Sequence, residues 1–171
     1  MSAQARSRRK SAAPVARSVA EELKQSRPFR SLAQEALLAV MVTSDRLASR
    51  LDRELAAAGD ITRQQYNVLR ILRGAGAEGL PTLEIAERMI ERTPGVTRLL
   101  DRLELKGWIE RQRSAEDRRQ VRCKVSRSGL ALLAKLDAVV DEFDDLPDSA
   151  FDDAELRELI RMLDALRALY P

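Results

Sequence analysis

The sequence contains no histidine and only one cysteine, Cys123, among its 171 residues. The missing histidines remove the commonest general base and the commonest metal ligand from the chain. We also find no phosphate-binding loop and no nucleophile paired with a base. These absences predict that the protein is not an enzyme and that it uses neither a metal nor a cofactor.

A single thiol also excludes an internal disulfide, and the sequence has no run of eighteen apolar residues that could span a membrane. The N-terminus is basic and alanine-rich, but it lacks the apolar segment of a secretory signal. We therefore expect a cytoplasmic protein without a membrane partner.

Charge is unevenly distributed along the chain, although the net charge is only +3. Residues 1–30 carry eight Arg or Lys and two Glu, and residues 92–127 carry eleven basic and five acidic side chains. Residues 137–164 instead carry eleven acidic and two basic side chains. Two basic zones indicate a polyanionic partner at one end of the molecule. An ordinary mixed surface is the alternative, and charge alone leaves both open.

Apolar periodicity divides the chain into four parts. Residues 1–27 have none and predict a disordered basic arm, helical at most near its end, which either stays free or adds phosphate contacts. Residues 28–58 repeat apolar side chains at three- and four-residue steps, which predicts one long helix. A helix of this length usually packs against another subunit, as an N-terminal dimerisation helix, or against a second long helix. Residues 59–126 mix short helices and strands, and residues 127–171 predict further helices, the candidate C-terminal dimerisation helices.

Helix signals are clear in the second half of this pattern. Thr62 and Gln65 form a capping box, and an amphipathic helix follows to residue 73. Asp152 and Glu155 form a second capping box, which predicts the start of the last helix. A short helix is predicted over 82–90. Thr93 is a suitable N-cap and Pro94 a suitable first residue for a further helix that ends near Lys106.

Two predicted strands follow this helix. Residues 108–113 and 120–125 have strand-like composition, and the second alternates Val121, Cys123 and Val125 toward the interior. A charged turn joins them. Two short helices, a tight turn and a hairpin predict a mainly α fold with a small β-hairpin wing, a winged helix-turn-helix. Long N- and C-terminal helices, the candidate dimerisation helices, flank it.

The predicted second helix has the side chains that reading duplex DNA requires. Its N-terminal turn would enter the major groove, where each base pair presents its own pattern of hydrogen-bonding groups. Gly95 permits close approach, Thr93 and Thr97 offer hydroxyls, and Arg98 is the best candidate for a guanine edge. A helical projection at about 100° per residue buries Val96, Leu99, Leu100 and Leu103 and places Gly95, Thr97, Arg98, Asp101 and Arg102 on the outward side. Asp101 is expected to pair with a neighbouring arginine such as Arg98 or Arg102.

The turn between the strands carries the second candidate contact. Arg118 and Arg119 stand where a guanidinium could reach an adjacent, narrow minor groove. An ordinary solvated surface turn has the same composition, and the turn by itself therefore does not indicate DNA binding. The order and spacing of all the parts together favour it.

The same residues resemble the MarR family of transcriptional regulators. The resemblance covers about residues 30–170 and lies in ITRQQYNVL at 61–69, VTRLLDRLE at 96–104, KG at 106–107, ER at 110–111 and DRR at 117–119. Residues 80–82 depart from the family pattern at the start of the short helix.

The resemblance implies an obligate dimer with interleaved terminal helices that reads a pseudo-palindrome. It implies that Arg119 enters the minor groove and that Asp117 orients it, while Arg111 and Arg113 flank the wing as candidates for phosphate contacts. It also suggests release of DNA by a small aromatic or lipophilic effector. Candidate pocket residues, each equally consistent with plain core, are Leu37, Met41, Tyr66, Leu69 and Leu136.

These observations predict a homodimeric, sequence-specific DNA-binding regulator, more specifically a repressor. The alternative is a winged-helix module that binds a protein partner without reading DNA sequence. Cys123 has two interpretations, and an inert buried thiol is favoured over a redox sensor because its basic neighbours Arg122 and Lys124 point the other way.

Overall fold

The computed structural model describes residues 17–91, 95–113 and 121–170. Within these ranges seven α-helices and three β-strands follow one another along the chain. Their bounds are α1 Val19–Glu22, α2 Leu32–Gly59, α3 Arg63–Ala75, β1 Leu80–Pro81, α4 Thr82–Arg88, α5 Val96–Leu105, β2 Ile109–Arg113, β3 Val121–Val125, α6 Arg127–Asp144 and α7 Asp153–Arg167. The mainly helical fold class with a small sheet is confirmed.

The chain divides into two units. Residues 44–140 form one, here called the central unit, and residues 1–43 with 141–171 form the other, the terminal unit. In the described residues, every buried hydrophobic side chain belongs to the central unit. The two units therefore differ in what stabilises them.

One hydrophobic cluster holds the central unit together. Helix α3 is its middle, because Val68, Leu69 and Leu72 lie on one face and are fully buried. Its start is fixed locally: Thr62 accepts a hydrogen bond from the amide of Gln65, whose side chain accepts one from the amide of Thr62. This capping box confirms the predicted helix start.

A small antiparallel sheet lies at one side of this core, in the order β1-β3-β2. Strands β2 and β3 pair from Ile109 opposite Val125 to Arg113 opposite Val121. Strand β1 pairs Leu80 with Cys123. The sequence analysis did not predict β1, because two residues that include a proline give no strand periodicity.

The start of α6 packs closely against the loop that follows α5. Ser126 donates a hydrogen bond to the carbonyl of Gly107 at 2.6 Å and caps α6 by accepting one from the amide of Gly129 at 3.0 Å. A Cβ at Gly129 would lie 2.2 Å from the carbonyl oxygen of Trp108. Only glycine therefore lets α6 start this close to the loop that ends α5.

The terminal unit is stabilised locally. Asp152 accepts hydrogen bonds from the amides of Ala154 and Glu155, and Glu155 completes the predicted capping box of α7. Ser18 and Glu21 form a similar box around the one-turn helix α1. The end of the predicted arm thus contains a short helix, and its first sixteen residues lie outside the described part.

Some predicted details are wrong. Val121 was expected to face the interior with Cys123, but it is 40% exposed because β3 is covered at Cys123 and open at its start. The predicted helix start at Thr93 and Pro94 is also wrong. Helix α5 begins at Val96, with Gly95 at the N-cap in the left-handed region at φ 111°, a backbone conformation that glycine adopts without steric cost.

Candidate nucleic-acid interface

Helix α5 is held to the core by one apolar face. Leu100 and Leu103 are completely buried, and Val96 and Leu99 pack against the same cluster. Burial of each leucine contributes roughly 1.5–3 kcal/mol, which fixes the helix against α4 and the sheet. The opposite face is therefore presented in one orientation.

That opposite face carries the predicted reading residues. Gly95, Thr97, Arg98, Asp101 and Arg102 are all exposed, as the helical projection predicted. In the part of the chain that the structure describes, Arg98 and Arg102 have no ion-pair partner. Two guanidinium groups on a rigid, exposed helix face are available to an anionic ligand.

Asp101 does not pair as expected. Its Oδ1 atom lies 2.7 Å from Nη2 of Arg111 on β2, rather than against Arg98 or Arg102. The expectation considered only helical neighbours, whereas the partner comes from the adjacent strand. This pairing offsets the negative charge of Asp101, and among the described residues neither Arg98 nor Arg102 has an ion-pair partner.

Arg111 joins the helix to the wing strand. Besides Asp101, it lies 3.4 Å from Glu104 and donates a hydrogen bond to the carbonyl of Thr97 at 3.4 Å. Burial alone would lower the pKa of Arg111, but the hydrogen bond with Asp101 and the charge of Glu104 outweigh it and raise that pKa. The sequence suggested a phosphate contact here, and the structure adds a link between α5 and β2.

Several predicted residues cannot be located. Thr93, Asp117, Arg118 and Arg119 lie outside the described residues. Arg113 is the last residue of β2, and its backbone pairs with Val121. The roles of these residues in DNA binding stay predictions.

The candidate effector residues fall into two groups. Tyr66, Leu69 and Leu136 belong to the buried core of the central unit. Leu37 is half-buried and Met41 is 66% exposed, and both belong to the terminal unit. A role for them in effector binding stays a prediction.

Cys123 is buried on β3. Burial raises the pKa of its thiol, and the nearby charge of Arg111 only partly opposes this effect. A protonated, covered thiol is a poor nucleophile, which agrees with the inert interpretation.

Among the described residues, no group of three or more Cys, Asp or Glu side chains is arranged to hold a metal ion. Among the described helices, none has both the length and the hydrophobicity that crossing a bilayer requires.

Comparison with known proteins bears on this geometry directly. The family model described as "MarR family" matches residues 61–121, the stretch that contains α3 to β2. A crystal structure of a MarR transcription factor from Planctomyces limnophilus is 38% identical, with 81% of this chain and 99% of that one covered and a TM-score of 0.59. The chain belongs to the MarR family.

Two further MarR-type proteins extend the comparison. The transcriptional regulator TtmR of Methylorubrum extorquens (strain PA1) is 34% identical over 118 residues, which cover 68% of this chain and 60% of that one. The S. aureus MepR–DNA complex is 28% identical, covers 78% of this chain and 96% of that one, and has a TM-score of 0.69. The chain spans about half to three fifths of the first curated relatives that it matches. TtmR is described as a transcriptional regulator, and the Planctomyces limnophilus protein as a transcription factor.

Proposed function

We propose that this chain is a homodimeric transcriptional regulator that binds a pseudo-palindromic operator in duplex DNA and acts as a repressor. The observation that carries the proposal is the exposed face of α5, a helix anchored by buried leucines, where Arg98 and Arg102 have no ion-pair partner among the described residues. The MepR relative, described in complex with DNA, supports the same interpretation.

The proposed contacts fall into two classes. Arg98 reads a guanine edge in the major groove, with Gly95 and Thr97 close to the DNA backbone and Arg102 beside them. The wing residues Arg118 and Arg119, with Asp117 orienting Arg119, enter the adjacent minor groove. Thr93, Arg111 and Arg113 are the remaining candidates for phosphate contacts.

Apolar surface supports the dimer. On α2 and α7 large hydrophobic side chains remain exposed in the single chain, including Met41 at 66% and Ile160 at 58%. Helices that expose such side chains gain stability when a second copy covers them. Two copies would present two α5 helices to half-sites about 10 base pairs apart.

Site-directed variants test the proposal on a duplex selected by the wild-type protein from a random-sequence pool. Arg98→Ala and Arg119→Ala should each weaken binding by about 1–3 kcal/mol, because each removes a groove contact. Arg157→Ala, an exposed arginine on α7, is the matched control and should bind like wild type.

The alternative function predicts another result. If the chain bound only a protein partner, no duplex would be enriched over the random pool. If a duplex were enriched but both variants bound it like wild type, the assignment of the reading residues would be wrong. A repressor also lowers transcription from a promoter that overlaps its selected duplex, whereas an activator raises it.

A further inference from the structure

Glu91 lies between α4 and α5, the proposed recognition helix, and both of its carboxylate oxygens contact side chains of α3. Oε1 lies 2.7 Å from Nη2 of Arg63, and Oε2 accepts a hydrogen bond from Nε2 of Gln64 at 3.0 Å. Both donors belong to the first turn of α3. A two-point attachment fixes the direction of a carboxylate as well as its position.

Arg63 is itself anchored on the other side. Oδ1 of Asp52, on α2, accepts hydrogen bonds from the backbone amide of Arg63 at 3.3 Å and from its Nε at 3.4 Å. The amide is one that the first turn of a helix leaves without an internal partner. We call Asp52, Arg63, Gln64 and Glu91 the Arg63 bridge, which links α2 and α3 to the end of α4.

The bridge lies next to the recognition helix along the chain. Gly95, the N-cap of α5, follows Glu91 by four residues, so at most about 14 Å of extended chain separates them. The C-terminal end of α5 contacts the same corner, because Nζ of Lys106 donates to the carbonyl of Asp60 at 3.2 Å. The α2–α3 corner therefore contacts one end of α5 and, through the bridge, holds the chain four residues before the other end.

Packing does not fix Glu91 by itself. A cleft of about 20 Å³ lies against the bridge, with room for roughly one water molecule, and is lined by Arg63, Gln64, Asn67, Met89, Ile90 and Glu91. Ile90, directly before Glu91, is 77% exposed. Where apolar contact is incomplete, the polar attachments set the local position of the chain.

The bridge is too exposed to account for the stability of the fold. The side chains of Arg63 and Glu91 are 30% and 37% exposed, and a pair of this kind changes an equilibrium by up to about fivefold. Reading of the DNA sequence is more sensitive to small displacements than the stability of the fold is, because groove contacts must be held to about 0.5 Å. The bridge thus acts where small displacements matter.

We propose that Arg63 is a positioning residue for DNA sequence reading, which, together with Gln64, holds Glu91 and so sets the entry of the chain into α5. The proposal rests on the proposed role of α5 as the recognition helix. Arg63 is not proposed to contact a base, because its guanidinium lies against Asp52 and Glu91.

Charge alone makes a different prediction, which allows a clear test. If Arg63 and Glu91 acted only through the field at the DNA surface, Glu91→Gln would strengthen binding to every duplex, because it removes a negative charge. Arg63→Gln would weaken binding to every duplex equally. Neither would change the ratio of affinities for two sequences.

The experiment compares two probes with the full-length chain: a duplex selected by the wild-type protein and a scrambled duplex of equal length and composition. Arg63→Gln and Glu91→Gln should each lower the selected-to-scrambled affinity ratio by about three- to fivefold. The double variant should lose no more than the larger single loss, because both changes break one contact. Thermal unfolding of each variant monitors the fold.

Arg73→Gln is the matched control. Arg73 also lies on α3, but it pairs with Asp137 on α6, at 2.8 Å, rather than with Glu91. It should keep the wild-type ratio. The proposal is overturned if Glu91→Gln keeps that ratio or raises both affinities equally, or if Arg73→Gln lowers the ratio as much as Arg63→Gln.

Arg98→Ala, measured in the same series, separates the two proposals. If it lowers the ratio while both bridge variants behave like wild type, the positioning role is wrong and the proposed function stands. If Arg98→Ala and both bridge variants all keep the wild-type ratio, α5 is not the reading element, and the positioning role fails together with the proposed function.

Discussion

The central and terminal units of this chain are stabilised in different ways. In the central unit, leucines far apart in sequence, such as Leu55, Leu103 and Leu133, are completely buried together. In the described residues of the terminal unit no side chain is buried, and capping boxes and ion pairs between near neighbours, such as Arg161 with Glu158, dominate. Local interactions of this kind leave an isolated helix only marginally stable.

The difference indicates a division of labour. A central unit with its own core can hold a reading helix rigidly, whereas the terminal helices keep apolar surface that a single chain leaves uncovered. The first property suits DNA recognition and the second suits pairing of two copies. Three variants, each with a matched comparison, test whether the division is real.

The largest effect is expected in the core of the central unit. Leu103→Ala should lower the free energy of unfolding by about 2–5 kcal/mol, because it leaves a cavity at a completely buried position. Leu105→Ala, two residues along the same helix at an 89% exposed position, should change it by at most about 0.5 kcal/mol. Denaturant unfolding at one protein concentration measures both. Equal losses would show that α5 is not anchored by the buried face.

A smaller effect is expected in the terminal unit. Ile160→Glu should raise the dimer dissociation constant by at least about tenfold, because it places a charge on the apolar surface proposed to meet the second copy. Arg157→Gln, on the same helix at an 80% exposed side chain, is the control and should leave it unchanged. Sedimentation velocity over a concentration series gives both constants. A dimer unaffected by Ile160→Glu would remove this face from the interface.

The smallest effect on stability is expected at Cys123, which is buried on strand β3. Because burial raises the pKa of Cys123, the folded chain should react with iodoacetamide at pH 8 at least about tenfold more slowly than the unfolded chain. The same shift means that stability falls slightly as pH rises above about 8.5, where the unfolded thiol ionises and the folded one does not. Equal labelling rates in buffer and in denaturant would show instead that β3 is open.

Features that depend on neighbours in sequence were predicted well. The capping boxes at Thr62 and Asp152, the buried face of α5 and the order of helices and strands all follow from residues within a few positions of one another. Such signals act through local hydrogen bonds and periodicity, so the sequence alone contains them.

Features that depend on contact between distant segments were not predicted from the sequence. Strand β1 exists because Leu80 pairs with Cys123. Asp101 forms its ion pair with Arg111 on β2 rather than with an arginine of its own helix. The approach of Arg63 to Glu91 joins residues twenty-eight positions apart. No local pattern specifies these partners.

The sequence by itself thus determined that this is a winged helix-turn-helix protein of the MarR family, and which side chains of α5 face outward. The tertiary structure decided that Asp101 pairs with Arg111 rather than with a helical neighbour, and that Lys106 at the end of α5 contacts Asp60. The physical reason is that helical facing follows from a fixed angle per residue, whereas charge pairing depends on the distance between segments that only folding brings together.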